Sequence, residues 1–368
     1  MTRVKNTDRI HVAVVYGGRS SEHSVSCVSA GAIMSHLDPE RYHVIPVGIT
    51  QDGTWVVGEH NPERLRIDGR TLPTVTGGQA LTLAIDPAHK GEFRYADGPQ
   101  VGELYATADV IFPVLHGRFG EDGTIQGLFE LSGVPYVGTG VLSSAAGQDK
   151  EATKKLFQAE GLPIGVDVVM RGRTELTEAE KDLLGLPVFV KPACGGSSIG
   201  ISKVSSWEDF PQAVNLAREH DHKVIVESEI LGAEIEVGVL QKPTGEVVAS
   251  VPAQLVGTDA SEEGFYGFDT KYLEDVVAAH IPAPLPEHHI EHIRSLAVEA
   301  FHALNCEGIA RVDFFMTAAG PVLNEINTMP GFTPISMYPQ VFAASGIDYA
   351  DLLGLLIERA LVTHGPKD

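Results

Sequence analysis

Short apolar runs that end in glycine turns dominate the first third of the chain. The run HVAVVY at 11–16 meets Gly17-Gly18, which is typical of a buried strand followed by a tight turn. From Ser21 to Leu37 apolar side chains recur at helical spacing, and YHVIPVGI at 42–49 has the composition of a second buried strand. A strand, a helix and a second strand in this order predict a parallel α/β layer. The same layer is predicted to continue as a strand at 109–116 and a helix at 122–133.

Residues 51–107 depart from this pattern. Gly, Pro, Asp and Thr are frequent there, and short alternating pieces such as LTLAI at 81–85 predict strands of a hairpin. We therefore predict an N-terminal α/β domain over residues 1–141 that carries a hairpin-bearing insertion at 51–107.

Two further regions are predicted, at 142–230 and at 231–368. Helix 148–161 ends at Gly161 followed by Pro163, which is a typical stop signal. The fold class expected for the whole chain is α/β and α+β, with no internal repeat. The predicted strands lie at 187–192, 199–204, 223–228, 234–240 and 246–253, and the predicted helices lie at 148–161, between 204 and 223, and around 287–304 and 347–362.

Composition limits the class of partner. Lys and Arg total 27 against 49 Asp and Glu, a formal net charge of −22. That charge argues against gripping nucleic acid or an anionic membrane through the overall surface. No run approaches the roughly 20 apolar residues that cross a bilayer, and the N-terminus lacks an export signal. The three cysteines are widely spaced, which fits a reducing compartment, so a cytoplasmic location is expected.

The strongest chemical signal is RVDFF…LNEIN at 311–327. If the loop is centred near Ala319, Asp313 lies directly across from Glu325, with the like charges about 5 Å apart. Because side chains alternate along a strand, Arg311 lies on the same face as Asp313, and Asn327 lies on the same face as Glu325. Opposed carboxylates need a neutralising partner, and Mg²⁺ binds one or two carboxylates together with phosphate oxygens. A metal–phosphate site is favoured, and a solvent-facing polar hairpin is the alternative.

A second signal is FVKPACGGSSIGIS at 189–202. Lys191 leaves a predicted strand and is followed by small residues, whose backbone N–H groups can approach phosphate oxygens. The loop lacks the GK[ST] ending of a P-loop and no helix follows it. An ordinary Gly/Ser turn with a solvated Lys191 remains open.

Three more features can be interpreted either as parts of a functional site or as ordinary structural features. Glu22 opens the first helix, where an acid usually just compensates the helix dipole. His116 follows a strand at the edge where open α/β sheets bind ligands, but a satisfied loop histidine is equally compatible. The aromatic and glycine-rich stretch at 264–273 predicts either a lid that excludes water or an aromatic hairpin packed on the body.

Taken together and in this order, these segments resemble D-alanine–D-alanine ligases of the ATP-grasp superfamily. The resemblance covers nearly the whole chain. It implies an N-terminal parallel α/β (pre-ATP-grasp) domain, a central ATP-grasp lobe at 142–230 and a C-terminal ATP-grasp lobe at 231–368 that holds the lid and the metal site. The motifs that carry it are GGRSSEHSVS, LHGRFGEDGTIQG, VKPACGGSSIGIS, VESEILGAEIEV, YGFDTKYL and RVDFF…LNEINTMPGFTPIS.

The resemblance also implies roles for individual residues. It places Lys154, Lys191, Ser197, Ser198, Glu227, Glu234 and Lys271 at ATP, and Asp313, Glu325 and Asn327 at two Mg²⁺ ions, with Mn²⁺ as a possible substitute. It places Glu22, His116, Arg311 and Ser336 at the amino-acid substrate, and Glu22, Ser197, Tyr272, Arg311, Gly331 and Ser336 in catalysis.

The implied reaction joins two D-alanine molecules through an acyl phosphate at the expense of ATP, as a step in peptidoglycan precursor synthesis, in an enzyme that is a homodimer with small-molecule substrates. Lys271-Tyr272 stands where relatives that accept D-lactate usually have a histidine, which favours an amine acceptor. The alternatives are a D-alanine–D-lactate or D-alanine–D-serine ligase, or a non-catalytic nucleotide-binding protein.

Overall fold

The computed structural model describes residues 9–196, 199–257 and 278–363. Within these ranges the chain forms four β-sheets, together with α-helices that pack against them and two short 3-10 helices at Pro62–Leu65 and Pro87–His89. The strands are β1 Ile10–Gly17, β2 Tyr42–Ile49, β3 Trp55–Val57, β4 Leu81–Leu83, β5 Glu92–Tyr95, β6 Leu104–Thr107, β7 Val110–Val114, β8 Asp167–Arg171, β9 Val188–Pro192, β10 Ser202–Val204, β11 Lys223–Ser228, β12 Ala233–Gln241, β13 Val247–Ala249, β14 Ala253–Val256, β15 Ala278–His280, β16 Ile309–Thr317 and β17 Gly320–Asn327. The α-helices are α1 His23–His36, α2 Thr124–Ser132, α3 Val141–Gln148, α4 Lys150–Ala159, α5 Glu178–Leu184, α6 Phe210–Arg218, α7 Glu287–Ala303, α8 Met337–Ala344 and α9 Tyr349–Thr363.

The N-terminal sheet has the order β3-β2-β1-β7, and its three longer strands are parallel. Residues of β1 are almost wholly buried, since helices cover a parallel sheet on both faces. The carboxyl ends of β1, β2 and β7 meet at one edge, where the turn after β1 and the loop after β7 begin. The parallel α/β prediction is confirmed.

The insertion forms its own small antiparallel sheet in the order β4-β5-β6. Leu81 pairs with Tyr95 and Leu83 with Phe93, so LTLAI does belong to a hairpin. Phe93 is fully buried, and the sheet packs on the N-terminal domain through the same hydrophobic cluster as Val47 and Ile111.

The second and third regions each form an antiparallel sheet, in the orders β10-β9-β11-β8 and β15-β14-β12-β16-β17, with β13 paired to β12. The predicted strand at 246–253 is split into β13 and β14. The split falls at Ser250, whose Oγ accepts the Gly238 N–H at 3.0 Å and donates to Val251 O at 2.8 Å, and at Pro252, which has no N–H to donate. The predicted single strand was therefore wrong.

Short elements escaped the sequence analysis because they hold too few residues to show a period. The elements that were missed are β3, β8, β15, α3, α5 and α8.

The hydrophobic core ties the two ends of the chain together. Val12 and Tyr16 of the N-terminal sheet share one cluster of buried residues with Tyr338, Leu352 and Ile357 of the last helices. The central lobe has a separate cluster built from β8, β9, β11 and α6. The central lobe therefore has its own core, separate from the one that joins the two ends of the chain.

No single helix in the described ranges is both long and apolar enough to cross a bilayer. Helices α8 and α9 meet those criteria only when taken together, and they are bent by 105° relative to each other.

Candidate active site

A cavity of about 680 Å³ lies where the three regions meet. It is walled by the carboxyl edge of the N-terminal sheet, by β9 and β11 of the central lobe, and by β12, β16 and β17 of the C-terminal lobe. The predicted site residues that line it are Glu22, His116, Lys191, Glu227, Glu234, Arg311, Asp313, Glu325, Asn327, Gly331 and Ser336.

Four other predicted residues, Ser197, Ser198, Lys271 and Tyr272, lie outside the described residues, as does the stretch 264–273. Their roles stay predictions.

The hairpin β16–β17 brings its polar residues together as predicted, but by a different route. Arg311 pairs with Asn327 and Asp313 with Glu325. The turn pairs Thr317 with Gly320, so it is centred half a residue before Ala319. A bulge that leaves Asn324 unpaired restores the predicted register, because one extra residue shifts all later pairings by one.

Arg311 is the electrostatic centre of this wall. Its Nε and Nη2 donate to the two oxygens of Asp313, each at 2.7 Å, in a bidentate pair. Glu236, which faces Asp313 from β12, approaches the Arg311 Nε at 3.1 Å. Burial by itself would lower the pKa of Arg311, but Asp313 and Glu236 raise it well above its usual value. The side chains of Arg311 and Asp313 are only 13% and 14% exposed, so the solvent-facing hairpin is excluded.

The same wall fits a hard cation. Asn327 Nδ2 donates to Asp313 Oδ2 at 2.9 Å, and Glu325 keeps a third of its side chain exposed to the cavity. No cluster of three or more His, Cys, Asp or Glu side chains suited to a metal occurs in the described ranges. When phosphates supply the other ligands, Mg²⁺ nevertheless needs only a few oxygen ligands from the protein, such as one or two carboxylates. Asp313 and Glu325 provide two carboxylates here, and the amide of Asn327 provides a further oxygen.

The central lobe holds a buried carboxylate between two ammonium groups. Lys191 forms an ion pair with one oxygen of Glu227, and Lys154 lies 3.0 Å from the other. Burial opposes ionisation of Glu227, but the two lysines outweigh it and lower its pKa to about 2. Burial by itself would lower the pKa of Lys191, but Glu227, together with Glu325 and Asp167, raises it. A solvated Lys191 is therefore ruled out.

Lys154 is not among the residues that line the cavity, although it contacts Glu227, which does. Its Nζ is also held by the carbonyl of Gly165 at 3.4 Å and by Asp167 at 3.8 Å, below the cavity wall. The geometry supports a structural partner of Glu227, so contact between Lys154 and a phosphate stays a prediction without support from the fold.

Lys150, which the sequence analysis did not select, lines the cavity instead. Its Nζ donates to Gly195 O at 3.1 Å and lies 3.6 Å from Glu325. Its backbone N–H donates to Ala193 O at 2.9 Å. Lys150 thus joins the loop after β9 to the acidic wall. The signal in the sequence is its place at the first position of α4, directly after the capping residue Asp149.

Glu22 lies at the N-cap of α1 and is 8% exposed. Its side chain makes no capping hydrogen bond, and in the described part of the chain its carboxylate has no hydrogen bond or ion pair. A methyl group at Gly117 would come within 3.4 Å of Glu22 Oε2, and one at Gly196 within 3.6 Å. The carboxylate therefore sits between the loop after β7 and the loop after β9, which goes beyond dipole compensation.

His116 is buried against the cavity. Its Nδ1 lies 3.2 Å from Met329 O, and its Nε2 has no hydrogen-bond partner in the described structure. Burial lowers the pKa of His116, partly offset by Glu22. An imidazole with an unused buried nitrogen is not a satisfied loop histidine.

Glu121 is a cavity residue that the sequence analysis missed. Burial and the nearby Glu22 raise its pKa to about 8, while the Gly117 N–H, which donates to it at 2.6 Å, acts in the opposite direction. The signal was an acid five residues after His116, in the motif HGRFGEDG.

The loop after β17 completes the cavity. Ser336 is the N-cap of α8; its Oγ accepts the Thr333 N–H at 3.0 Å and lies 2.7 Å from Thr333 Oγ1. Gly331 lies between β17 and this serine, on the cavity wall near the hairpin. The predicted residues of this loop are therefore together with Arg311 at one site.

Comparison with known proteins gives matches along most of the chain. The family model for the D-ala D-ala ligase N-terminus matches residues 11–139, and that for the D-ala D-ala ligase C-terminus matches residues 155–358. A D-alanine–D-alanine ligase from Corynebacterium efficiens is 70% identical, with 97% of this chain and 98% of that protein covered. One from Corynebacterium diphtheriae is 66% identical over 96% of each chain.

Solved structures agree. The VanG D-Ala:D-Ser ligase from Enterococcus faecalis is 34% identical, with a TM-score of 0.81 and 96% of this chain and 99% of that chain covered. The D-alanine–D-alanine ligase from Coxiella burnetii is 32% identical, with a TM-score of 0.82 and coverages of 97% and 95%. The architecture is thus that of the ATP-grasp fold behind a parallel α/β domain, and the chain belongs to the D-alanine–D-alanine ligase family.

Proposed function

We propose that this chain catalyses the ATP-dependent joining of two D-alanine molecules to D-alanyl-D-alanine, a step in the synthesis of peptidoglycan precursors. The observation that carries the proposal is the convergence at one cavity of an acidic hairpin, two cavity-facing lysines, and the Glu22–His116 pair. The relatives named D-alanine–D-alanine ligase, with up to 70% identity, support the choice of substrate.

In the first step a carboxylate oxygen of one D-alanine attacks the γ-phosphorus of ATP, and the bond to ADP breaks. Such a transfer depends on positioning and charge neutralisation rather than on covalent work by the protein. Lys191 and Lys150 are placed to neutralise phosphate oxygens, and Glu227 and Glu234 to bind the nucleoside. A related ligase from Bacillus anthracis, 26% identical with a TM-score of 0.71, was solved with ATP.

We assign Asp313, Glu325 and Asn327 to two Mg²⁺ ions, or Mn²⁺ in their place. When bound there, the ions would offset the negative charge of the phosphates. Arg311 holds the two oxygens of Asp313 in a fixed plane, so that this carboxylate is oriented before any ligand arrives.

In the second step the amine of the second D-alanine attacks the acyl carbon, and phosphate leaves. The negative charge that develops on the acyl oxygen is assigned to the Arg311 guanidinium and the Gly331 N–H. Glu22 and Ser336 are assigned to the surroundings of the first D-alanine, and His116 to the side of its carboxylate. Ser197, Ser198, Lys271 and Tyr272 are assigned to the phosphates and the closed site by resemblance alone.

A homodimer in the cytoplasm, where ATP is available, completes the proposal. Multi-angle light scattering of the purified chain measures the assembly; a mass near 39.4 kDa, that of one chain, would overturn the dimer.

The test of function is phosphate release from Mg-ATP with D-alanine alone, and with D-alanine plus D-serine or D-lactate, followed by mass analysis of the product. We expect release that requires D-alanine and yields its dipeptide. A mixed product in preference to the dipeptide would retain the site and overturn the second substrate. ATP binding without turnover under every condition would overturn catalysis itself.

A further inference from the structure

The residue after Glu22 connects two distant parts of the backbone. His23 is 1% exposed. Its Nδ1 lies 2.7 Å from the carbonyl of Gly18, in the turn after β1, and its Nε2 accepts the N–H of Val75 at 2.9 Å. Val75 belongs to the insertion at 51–107, for which the sequence suggested no role in the site.

These two contacts fix the state of the imidazole. A carbonyl only accepts and an amide N–H only donates, so Nδ1 must carry the proton and Nε2 must be bare. His23 is thus held as one neutral tautomer between two backbone groups. Any side chain that lacks a donor and an acceptor at these two places leaves a buried carbonyl and a buried N–H unpaired.

The insertion also touches the turn directly. A methyl group at Gly17 would lie 3.0 Å from Val75 Cγ2, and one at Gly48 would lie 2.9 Å from Val75 Cγ1. Gly17 has a φ of 93°, a left-handed conformation that glycine adopts without strain. Two glycines therefore make the room that Val75 occupies beneath the turn.

The turn begins the loop that carries Glu22. The Gly18 N–H donates to Ile49 O at 2.8 Å, and the Glu22 N–H donates to Ser20 Oγ at 3.2 Å. With the Gly18 carbonyl held by His23, both polar groups of that glycine are fixed. The loop has little freedom to move Glu22 relative to the cavity.

We propose that His23 is a positioning residue for the first substrate, and that through Val75 it makes the insertion part of the support of the first-substrate subsite. The proposal rests on the proposed function, because the first substrate is placed at Glu22 by that assignment. A histidine that only fills the core would affect stability alone. A positioning residue changes the affinity of one substrate and leaves the others.

The experiment compares His23→Leu, which removes both hydrogen bonds, with His23→Gln, whose amide carries one donor and one acceptor. We expect the KM for the first D-alanine to rise about 10-fold in H23L, the scale of losing one or two buried hydrogen bonds. The KM for ATP should stay within about 2-fold in both variants, because its proposed contacts lie in other lobes. H23Q should recover most of the loss.

A second pair of variants tests the insertion without touching the histidine. Val75→Pro removes the N–H that His23 accepts, whereas Val75→Ala trims the side chain and keeps the N–H. V75P should raise the same KM as H23L, and V75A should raise it less. The double variant H23L/V75P should raise the KM by less than the product of the two single effects, since both variants remove the hydrogen bond between His23 and the Val75 N–H.

A fall in kcat with the first-substrate KM unchanged in both H23L and V75P would overturn the inference, as would an H23Q variant no better than H23L. If H23L does not fold, the comparison of V75P with V75A decides. Failure of the proposed function is distinguishable, because it shows in the wild-type chain as missing dipeptide.

Discussion

The central and C-terminal lobes both bury charged side chains against the cavity, but they balance the charges differently. In the central lobe, Glu227 is matched by Lys191 and Lys154, with Asp167 beside the second lysine. In the C-terminal lobe three carboxylates, Glu236, Asp313 and Glu325, surround one guanidinium, that of Arg311.

This difference in charge balance suits the two lobes to different parts of the proposed ligands. A charge cluster that is already neutral holds its shape without a ligand, because each buried ion keeps a partner. Among the described residues, the three carboxylates of the C-terminal wall face Arg311 and Lys150, and a wall with this many carboxylates attracts a further cation. Lys150 extends from the central lobe toward the acidic wall of the C-terminal lobe and lies 3.6 Å from Glu325. The metal and the phosphate of a bound ligand would meet at this point.

Removal of one carboxylate from the acidic wall should have the largest effect. Glu325→Ala is expected to reduce ADP formation by about 10³-fold, the scale at which developing charge is stabilised in active sites. A coupled assay for ADP at saturating ATP measures it. Near-wild-type turnover would show that the surplus of carboxylates is not a metal site.

A substitution in the neutral cluster around Glu227 should mainly affect the stability of the fold. At pH 7, Glu227→Gln is expected to lower the free energy of unfolding by about 3 kcal/mol, since the pKa of Glu227 falls from 4.5 to about 2 on folding. A depressed carboxyl pKa stabilises the fold above its unfolded value and ceases to do so as the pH drops. The gap between wild type and E227Q should therefore close between pH 4.5 and about 2.

Urea unfolding of both proteins at several pH values measures that gap. A gap that stays constant across this range would contradict the buried charge pairing.

Two lysines of α4 are expected to differ in their effects, one mainly on activity and the other mainly on stability. Lys150→Met should lower kcat/KM for ATP about 100-fold by removing a charge next to the phosphates. Lys154→Met should affect it less and reduce the melting temperature more, because Glu227 and Asp167 lose a buried partner. Steady-state kinetics and thermal melts on the same samples check both; the reverse ranking would return Lys154 to the phosphate site.

The smallest effect is expected at an exposed ion pair in the acidic lobe. Glu246 lies 3.0 Å from Lys242 and its side chain is 59% exposed. Glu246→Ala should change the free energy of unfolding by no more than about 0.5 kcal/mol and leave turnover unchanged. It is the matched control for Glu325→Ala, and a large loss of ADP formation in E246A would remove the distinction between cavity and surface carboxylates.

Much of the fold could be predicted from the sequence. The run at 42–49 and the run at 223–228 are strands with the predicted bounds, since their buried sides leave a clear pattern. The strand predicted at 246–253 failed at Ser250, because its hydroxyl binds a neighbouring backbone group that the local sequence does not reveal. Elements too short to show a periodic pattern could not be predicted either, because the local sequence holds too little information about them.

The candidate site likewise combines residues that could be predicted from the sequence with residues that could not. Glu22, His116, Arg311 and Asp313 were predicted and line the cavity. Lys154 was predicted at ATP and pairs with Glu227, and its contact with ATP stays a prediction; Lys150, four residues earlier on the same helix, was not predicted and lines the cavity. Which face of a helix meets which lobe depends on packing between regions distant in the chain.

The longer elements and the chemical residue types could be read from the sequence alone, because periodicity and glycine turns act over a few neighbours. The tertiary structure decided the rest. It set the bulge at Asn324 that aligns Asp313 with Glu325, the raised pKa of Glu121, and the hydrogen bond that the Val75 N–H donates to His23. Each of these depends on groups many residues apart, and only the folded chain fixes the distance and burial on which hydrogen bonds and charges depend.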